Sequence, residues 1–143
     1  MSIVLVPDAS VLLKWALRSD DEPDRDQALA LKTAWLDGRC DLVVPTLWVY
    51  EVGNVLGLKE PKVADQLLAA MVDLQMAEVN PAAYHPSILR LMRDHHVTFY
   101  DAAYHALAIE RNATMLTADV KYVRKAGRAG HVQRLEAWVV PTP

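Results

Sequence analysis

Short apolar runs of strand length alternate along this chain with stretches of helical periodicity, and that alternation constrains the fold more than any other feature. Strand-like runs occupy residues 3–6, 42–44, 76–79, 114–116 and 137–140. Helical patterns occupy residues 24–36, 46 to about 58, 63–74, 81–93 and 101–111, with Thr46 as the expected cap of the second helix. Strands that alternate with helices are typical of a parallel sheet covered on both faces. The sequence therefore predicts an α/β fold, a three-layer α/β/α sandwich around a central parallel sheet.

Length and composition favour one folded unit. The 143 residues, of which 52% are hydrophobic, suffice for a single domain spanning residues 1–143, and no repeat or linker divides them. No apolar stretch is long enough for a membrane span, and the N-terminus lacks the features of a signal peptide. The lone cysteine, Cys40, fits a reducing compartment. We therefore expect a cytoplasmic protein without a membrane partner.

Four acidic residues stand where a parallel sheet would bring them together. Asp8 directly follows the first strand-like run, Asp119 comes shortly after the fourth, and Asp101 opens the most regular helix. Glu51 lies in the otherwise apolar stretch LWVYEVGNVLG, after the second strand. Each acid alone has an ordinary explanation as a helix cap, a first-turn residue or the partner of a lysine. In open α/β sheets, however, the functional crevice lies beyond the carboxyl ends of the strands.

Four carboxylates in one crevice need compensation by positive charge. Two unit charges about 5 Å apart repel by roughly 3 kcal/mol at an effective dielectric constant near 20. Mg²⁺ and Mn²⁺ prefer oxygen ligands and would neutralise such a cluster. Sites of this kind commonly serve phosphoryl chemistry, in which the metal activates a water and stabilises charge on the attacked phosphate. The pattern thus indicates a hydrolase that depends on a divalent metal.

The sequences around the four acids resemble the acidic motifs of a known family. DASVLLKW begins at Asp8, LWVYEVGNVL contains Glu51, YDAAYHALAIE contains Asp101, and LTAD ends at Asp119. In order, spacing and neighbouring residues they resemble the four motifs of PIN-domain proteins. More narrowly, they resemble those of the VapC-type toxins of type II toxin–antitoxin systems. The likeness extends over residues 3 to about 125.

The resemblance implies a Mg²⁺- or Mn²⁺-dependent endoribonuclease with a PIN fold, acting as a toxin that inhibits translation and growth. It also implies a homodimer and a VapB-type antitoxin that blocks the site. Carried over to this chain, the catalytic and metal-binding set is Asp8, Glu51, Asp101 and Asp119, of which Asp119 matches the family's most variable acid. Polar residues expected to orient a phosphate or a water are Ser10, Thr117 and Asn54.

One basic segment stands out in a chain whose net charge is −3. Net charge alone argues against a nucleic-acid partner, but residues 121–134 contain lysines and arginines and no acid. Because phosphate contacts supply most non-specific affinity for nucleic acids, we predict that this segment contacts RNA beside the acidic crevice. An ordinary solvated loop is the alternative. The expected RNA contacts are Lys14, Lys121, Arg124, Lys125 and Arg128, with Arg134 in the same segment and Arg18 beside Lys14.

Other chemically active side chains are expected to have structural roles. His105, one helical turn after Asp101, is expected to pack in the interior rather than to bind metal. His95 and His96 are expected in a loop that faces solvent, and Cys40 is not expected to be a nucleophile. The aromatic residues expected to pack in the core or an interface, rather than to stack on bases, are Trp15, Trp35, Trp48 and Tyr50.

Two alternative functions remain open. A PIN-fold module that binds RNA without cleaving it is the first, although a binder gains little from four crowded carboxylates. A phosphatase-like metal hydrolase acting on small molecules is the second, although neither its aspartate-nucleophile motif nor a histidine-rich ligand spacing is present. Activity on a small phosphate ester without activity on RNA would favour this second alternative.

Overall fold

Five parallel strands form the sheet of this chain, whose computed structural model describes residues 2–17 and 23–142. In chain order the strands are β1 (Val4–Pro7), β2 (Asp41–Pro45), β3 (Ala77–Val79), β4 (Thr114–Thr117) and β5 (Val132–Arg134). In space their order is β3-β2-β1-β4-β5, and every neighbouring pair is parallel. The predicted central parallel sheet is confirmed.

Seven α-helices within the described residues cover the sheet. They are α1 (Ala9–Ala16), α2 (Arg25–Leu36), α3 (Trp48–Lys59), α4 (Ala64–Val72), α5 (His85–His95), α6 (Phe99–Glu110) and α7 (Val120–Ala126). Helices α2, α3 and α4 all contact α1, which packs on β1 and β4, whereas α6 packs on β1, β2 and β4 and is covered by α5. The predicted α/β/α sandwich is therefore confirmed. None of the helices in the described ranges is long and apolar enough to span a membrane.

The two central strands, β1 and β4, are buried on both faces. Val6 and Leu116 are completely excluded from solvent, as expected for the near-continuous apolar runs of a parallel sheet. Helix α6 is buried from Ala102 to Ala108 because it lies between the sheet and α5. This packing on both sides fixes the first turn of α6, which carries Asp101.

The order of the strands reverses between β1 and β4. From β1 the chain adds β2 and β3 on one side, and it then returns to add β4 and β5 on the other side. Such a reversal leaves a crevice beyond the carboxyl ends of the two central strands, where ligands bind in open α/β sheets. Asp8 directly follows β1, and Asp119 lies two residues after the end of β4. The topology thus directs both acids to this crevice.

The last strand differs from its prediction. It is Val132–Arg134, which pairs with β4, whereas the predicted run 137–140 ends a short 3-10 turn and continues without regular structure. The apolar character of that run serves packing instead, since Trp138 is buried. A strand at the sheet edge is only half-buried, so the strand itself carries a weak apolar signal.

Three helix starts also differ from their predictions. Helix α5 begins at His85, after a 3-10 turn over Pro81–Ala83, whereas its predicted pattern begins at residue 81. Thr46 does not cap α3, which begins at Trp48, and its N–H donates instead to the carbonyl of Val79 at 3.0 Å, extending the sheet. Asp101 does not open α6, because the helix begins two residues earlier. Thr98 is the cap, and its hydroxyl accepts the N–H of Asp101 at 3.3 Å.

Candidate active site

Asp8 directly follows β1 and caps α1. Its extended backbone (φ −83°, ψ 178°) turns the chain from strand to helix, and its Oδ1 accepts the N–H of Val11 at 3.2 Å. Its own N–H donates to the carbonyl of Leu116 at 3.0 Å, which extends the pairing of β1 with β4. Aspartate is a favoured cap, but Asp8 is only 4% exposed. Capping explains the residue type and leaves the burial of the carboxylate unexplained.

Two hydroxyl groups hold the Asp8 carboxylate in place. Ser10 Oγ donates to Oδ1 at 2.5 Å, and Thr117 Oγ1 donates to Oδ2 at 2.6 Å. Ser10 Oγ also accepts the N–H of Ala118 at 2.9 Å, and Thr117 Oγ1 accepts the N–H of Asp119 at 3.0 Å. Because a hydroxyl has one hydrogen to donate, Asp8 uses the donor capacity of both. In this arrangement Ser10 and Thr117 orient Asp8, and neither hydroxyl is left to donate to a phosphate.

Burial raises the pKa of Asp8 to about 6. The hydrogen bonds from Ser10, Thr117 and the N–H of Val11 oppose the rise, and the charge of Asp101 adds to it. The fold therefore fixes the orientation of a carboxylate whose negative charge its surroundings disfavour. Strongly shifted carboxylates in a crevice are typical of functional sites.

The Thr117 hydroxyl offers a direct test of how Asp8 is held. Thr117→Val keeps the shape of the side chain and removes one hydrogen bond to the ionised carboxylate, so the pKa of Asp8 should rise above about 6. Because the N–H of Asp119 also loses its acceptor, the free energy of unfolding should fall by about 1–3 kcal/mol. NMR titration of the aspartate carboxyl carbons in the presence of chelator measures the first effect. Thr117→Ser, which keeps the hydroxyl, should titrate like wild type. Equal Asp8 pKa values in all three proteins would contradict this role.

Asp101 and Asp119 line a crevice of about 210 Å³ together with Lys121 and Lys125. Burial raises the pKa of Asp101, the charge of Asp119 raises it further, and the charge of Lys125 acts in the opposite direction. Asp119 caps α7, because its Oδ1 accepts a backbone N–H at 3.2 Å. Acidic and basic side chains thus line the same crevice beyond the end of β4.

Glu51, in the first turn of α3, lies beside Tyr104 of α6. Burial raises the pKa of Glu51, the charges of Asp101 and Asp8 add to the rise, and the Tyr104 hydroxyl opposes it. Even so, Oε1 of Glu51 and the hydroxyl of Tyr104 have no hydrogen-bond partner of ordinary geometry among the described residues. Buried polar atoms normally have one. The Glu51 carboxylate oxygen is therefore available to a cation or a water.

The residues of this site fit a hard divalent cation. Each of the four carboxylates is coupled electrostatically to at least one of the others. Within residues 2–17 and 23–142, no group of three or more His, Cys, Asp or Glu side chains is placed so that it could hold a metal ion. Mg²⁺ does not require such a group, because it keeps several waters and binds through one or two carboxylates together with substrate phosphates. The oxygen-only donor set and the unpartnered Glu51 oxygen suit such an open site.

Comparison with protein families identifies the domain. The sequence model of the PIN-domain family matches residues 5–128 of this chain. The chain belongs to the PIN-domain family. The matched range contains all four acids. A comparison with curated proteins found no match to the sequence.

Solved structures share the fold of this PIN domain at low sequence identity. PAE2754 from Pyrobaculum aerophilum is 22% identical, with a TM-score of 0.66, and the match covers 95% of this chain and 92% of that one. A toxin–antitoxin complex from Klebsiella pneumoniae matches with 14% identity, a TM-score of 0.66 and coverage of 92% and 97%. VapC20 from Mycobacterium tuberculosis, described as a sarcin–ricin-loop-cleaving toxin, matches with 16% identity, a TM-score of 0.64 and coverage of 96% and 99%. These likenesses establish the fold.

Three further residues were predicted to contact a phosphate, a water or RNA, namely Asn54, Lys14 and Arg18. Asn54, one turn after Glu51 on α3, is exposed and has no role in the network around Asp8. Lys14 is only 5% exposed. Its burial in α1 argues against the predicted contact with RNA at the surface. Arg18 lies outside the described residues.

The basic segment forms α7 and the turn after it, rather than a loop. Lys121, Arg124, Lys125 and Arg128 are exposed. Residues three, four and seven apart share one side of a helix, so these four cations form a basic face, which we call the α7 face. Arg134 is separate, because it lies on β5 and pairs with Glu136.

His105 packs in the interior, as predicted. It is completely buried, its Nε2 lies 2.6 Å from the carbonyl of Gly130, and its Nδ1 lies 2.7 Å from the Tyr122 hydroxyl. Because the carbonyl of Gly130 can only accept a hydrogen bond, Nε2 carries the proton of the neutral ring. Nδ1 therefore accepts a hydrogen bond from the Tyr122 hydroxyl. Burial lowers the pKa of His105 and favours this neutral ring. Both nitrogens are occupied, which leaves none for a metal.

The structure differs from the predictions for several other histidine and aromatic side chains. His95 is the last residue of α5 rather than a loop residue, whereas His96 lies in the exposed connection between α5 and α6, as predicted, and lines the crevice of Asp101 and Asp119. Trp15 and Trp48 are buried as predicted. Tyr50 is 77% exposed and so does not pack in the core, and the interface that was the other part of its prediction stays a prediction. Tyr104 was not predicted to have a role at the site, since its sequence context is that of a core tyrosine on a buried helix.

Proposed function

We propose that this PIN domain is a Mg²⁺- or Mn²⁺-dependent endoribonuclease that hydrolyses phosphodiester bonds of RNA, and that it acts as the toxin of a VapBC-type toxin–antitoxin pair. One observation carries the proposal. Electrostatic coupling links the four carboxylates near the switch point of the sheet, and the buried Oε1 of Glu51 has no hydrogen bond of ordinary geometry among the described residues. A bound cation would offset the repulsion among these carboxylates, and a substrate phosphate would supply it with further oxygen ligands.

In the proposed mechanism, the carboxylates of Asp8, Asp101 and Asp119 would hold the cation, directly or through its waters, and Glu51 would hold it or accept a proton. When bound, Mg²⁺ or Mn²⁺ supplies Lewis acidity, which lowers the pKa of water and offsets charge on the attacked phosphate. Ser10 and Thr117 keep the Asp8 carboxylate oriented through its two oxygens. This arrangement needs no serine or histidine nucleophile.

Glu51 is suited to take the proton of the attacking water. Its pKa is raised, and general bases work best with a pKa close to the working pH. As the water oxygen bonds to phosphorus, its proton passes to Glu51, the bond from phosphorus to the departing ribose oxygen breaks, and that oxygen takes a proton from solvent. The Tyr104 hydroxyl interacts with the Glu51 carboxylate and opposes the rise of its pKa.

The proposed partners follow from the family resemblance and the neighbouring structures. One structural neighbour is a toxin–antitoxin complex, which supports a VapB-type antitoxin as the partner of this chain. We propose a homodimer as the toxin's own assembly. Exposed apolar residues such as Leu58 and Val63, at the end of α3 and before α4, offer surface for these contacts.

Asp101→Asn is the variant that tests the proposed nuclease. Wild-type chain freed of any co-purifying partner should cleave mixed cellular RNA with Mg²⁺ or Mn²⁺ and stop when chelator is added. Asp101→Asn should lose at least about 10²-fold in rate, because it removes one negative charge from the cation site. Asp65→Asn is the matched control, since Asp65 also lies in the first turn of a helix but is exposed on α4. Equal cleavage by wild type and Asp101→Asn would exclude the assigned site.

A PIN-fold module that binds RNA without cleaving it is the second candidate. The observation that favours it is that no three His, Cys, Asp or Glu side chains among the described residues are placed to hold a metal ion. Such a module would bind RNA in the same assay and leave it intact at millimolar Mg²⁺ and Mn²⁺. It would also keep its affinity for RNA in chelator.

A further inference from the structure

A neutral cleft lies on the other side of the first turn of α6. Its volume is about 560 Å³, and the residues after β2 and β3 and the first turns of α3 and α6 form its walls. Tyr50 and Tyr100 line it. Each is the chain neighbour of a site acid, since Tyr50 precedes Glu51 and Tyr100 precedes Asp101. The cleft therefore adjoins the acidic site through two helices.

The two tyrosines contribute little to the stability of the core. Tyr50 is 77% exposed and Tyr100 is 60% exposed, whereas a tyrosine that serves packing is largely buried. Two large aromatic side chains held at the edge of one concave surface present flat faces to a ligand. The described lining contains no Lys, Arg, Asp or Glu. A neutral, flat ligand suits this cleft better than a phosphate does.

Polar groups on the same wall are prepared to recognise the edge of such a ligand. Oδ1 of Asn80 accepts the N–H of Ala82 at 2.9 Å, which fixes the orientation of the amide and leaves its NH₂ as a donor. The Nδ1 of His85 lies 3.1 Å from the carbonyl of Ala82, so in the neutral ring Nδ1 carries the proton and Nε2 is left as an acceptor. A donor and an acceptor thus accompany the two aromatic faces.

We propose that this cleft binds an unpaired nucleobase of the RNA next to the phosphate that is cleaved, with Tyr50 and Tyr100 stacking on the base. The inference rests on the proposed function and extends it to the selection of substrate. Single-stranded nucleic acids bind by this combination of a basic surface for phosphates and aromatic side chains for bases. In this chain, Asp101 lines the crevice that contains Lys121 and Lys125, while the adjacent Tyr100 lines the neutral cleft. Phosphates and a base would therefore lie on opposite sides of the same helical turn.

The test compares an RNA with an abasic chain of equal charge. Fluorescein-labelled oligoadenylate of ten nucleotides and an abasic ribose-phosphate ten-mer are titrated, by anisotropy, into Asp8→Asn protein, which is not expected to cleave them. The Asp8→Asn protein should bind oligoadenylate more tightly than the abasic chain. Adding Tyr100→Ala or Tyr50→Ala should weaken binding of oligoadenylate by about 5- to 100-fold and leave binding of the abasic chain unchanged. Tyr100→Phe should retain the preference for bases.

The controls separate this inference from the proposed function. Leu36→Ala removes a side chain on α2 that is 61% exposed, close to the value for Tyr100, but lies outside the cleft, and it should change neither affinity. If wild type cleaves RNA and the tyrosine variants bind like their parent, the cleft is not a base site and the nuclease stands. If wild type neither binds nor cleaves RNA, the proposed function fails, and this inference fails with it. Sedimentation of the same variants gives the remaining outcome: a dimer that becomes monomeric on loss of Tyr50 or Tyr100 would make the cleft an interface between two copies and overturn the inference.

Discussion

Asp8→Asn protein is expected to lose metal-dependent RNA cleavage by about 10³-fold or more and, in chelator, to be more stable than wild type. The loss of activity follows because the change removes one of the charges proposed to hold the cation. The gain in stability follows because Asp8 is buried and its pKa is raised to about 6. Loss of function combined with gain of stability is the signature of a residue kept for its chemistry.

The size of the stability gain follows from the pKa. A rise from 3.8 to about 6 corresponds to roughly 3 kcal/mol by which the fold disfavours the ionised group at neutral pH. Asparagine removes that penalty and remains a good helix cap, but its amide bonds less strongly than a carboxylate to the hydroxyls of Ser10 and Thr117. The net gain in the free energy of unfolding should therefore be about 1–3 kcal/mol.

The same shift fixes the direction of the pH dependence. Between pH 3.8 and about 6 the folded state binds more protons at Asp8 than the unfolded state does, so this group makes wild type less stable as the pH rises through that window. Above about pH 6 the loss of stability caused by the ionised Asp8 is complete, and below pH 3.8 this loss disappears. The difference in stability between Asp8→Asn and wild type should accordingly be largest above pH 7 and vanish toward pH 4.

Urea unfolding in chelator across this pH range, alongside the cleavage assay, measures both effects. Asp24→Asn is the matched control, because Asp24 occupies the N-cap position of α2, makes no side-chain capping bond and lies outside the site. It should cleave like wild type. A stability difference between Asp8→Asn and wild type that does not change with pH would exclude the assigned burial of a charged Asp8. Full cleavage by Asp8→Asn would exclude its proposed role.

The positions of Asp8 and Asp119 were predictable from the sequence because they depend on short-range signals. A buried strand of a parallel sheet is a continuous apolar run, and Asp8 directly follows such a run at the chain's start. Once strands and helices alternate, topology alone brings the carboxyl ends of neighbouring strands to one edge. Once the parallel sheet was predicted, the positions of Asp8 and Asp119 at its carboxyl edge followed from it.

The features that sequence reasoning missed depend on long-range packing. The edge strand β5 lies on one partner only and shows no apolar run, whereas buried Trp138 lies in irregular chain that resembles a strand in sequence. The burial of Lys14 and the exposure of Tyr50 depend on how α1 and α3 pack on their neighbours. Helical periodicity gives the side of a helix but not what covers it. One signal was available for α7, since Asp119 precedes cations spaced by three and four residues.

Removal of the α7 face is expected to have the second large effect. Replacing Lys121, Arg124, Lys125 and Arg128 together by Ala should lower the affinity of Asp8→Asn protein for single-stranded RNA by roughly 10²- to 10³-fold at low salt. Each cation that contacts a phosphate releases counterions, with a slope of about 0.7 per contact for single strands. The slope of log affinity against log salt should therefore become shallower by about 3.

The matched control carries the same change in net charge at another surface. Lys59, Lys62, Arg90 and Arg111 are exposed and lie outside the crevice, and their replacement by Ala should leave the slope nearly unchanged. Equal losses of affinity in the two quadruple variants would mean that RNA responds to net charge alone and would exclude the α7 face as its binding surface. Alanine is the strongest helix former, so α7 itself should persist, which circular dichroism can check.

A single cation of this face allows binding and catalysis to be separated. The charge of Lys125 lowers the pKa of Asp101, against the burial and the neighbouring Asp119 that raise it. Loss of the Lys125 charge should therefore raise the pKa of Asp101 and move the acidic limb of the pH profile of cleavage to higher pH. The same change should also weaken the binding of RNA. Arg124, which does not line the crevice, should contribute to binding alone. The α7 face would then have two roles, since it attracts the phosphates of the substrate and helps to keep a neighbouring carboxylate charged.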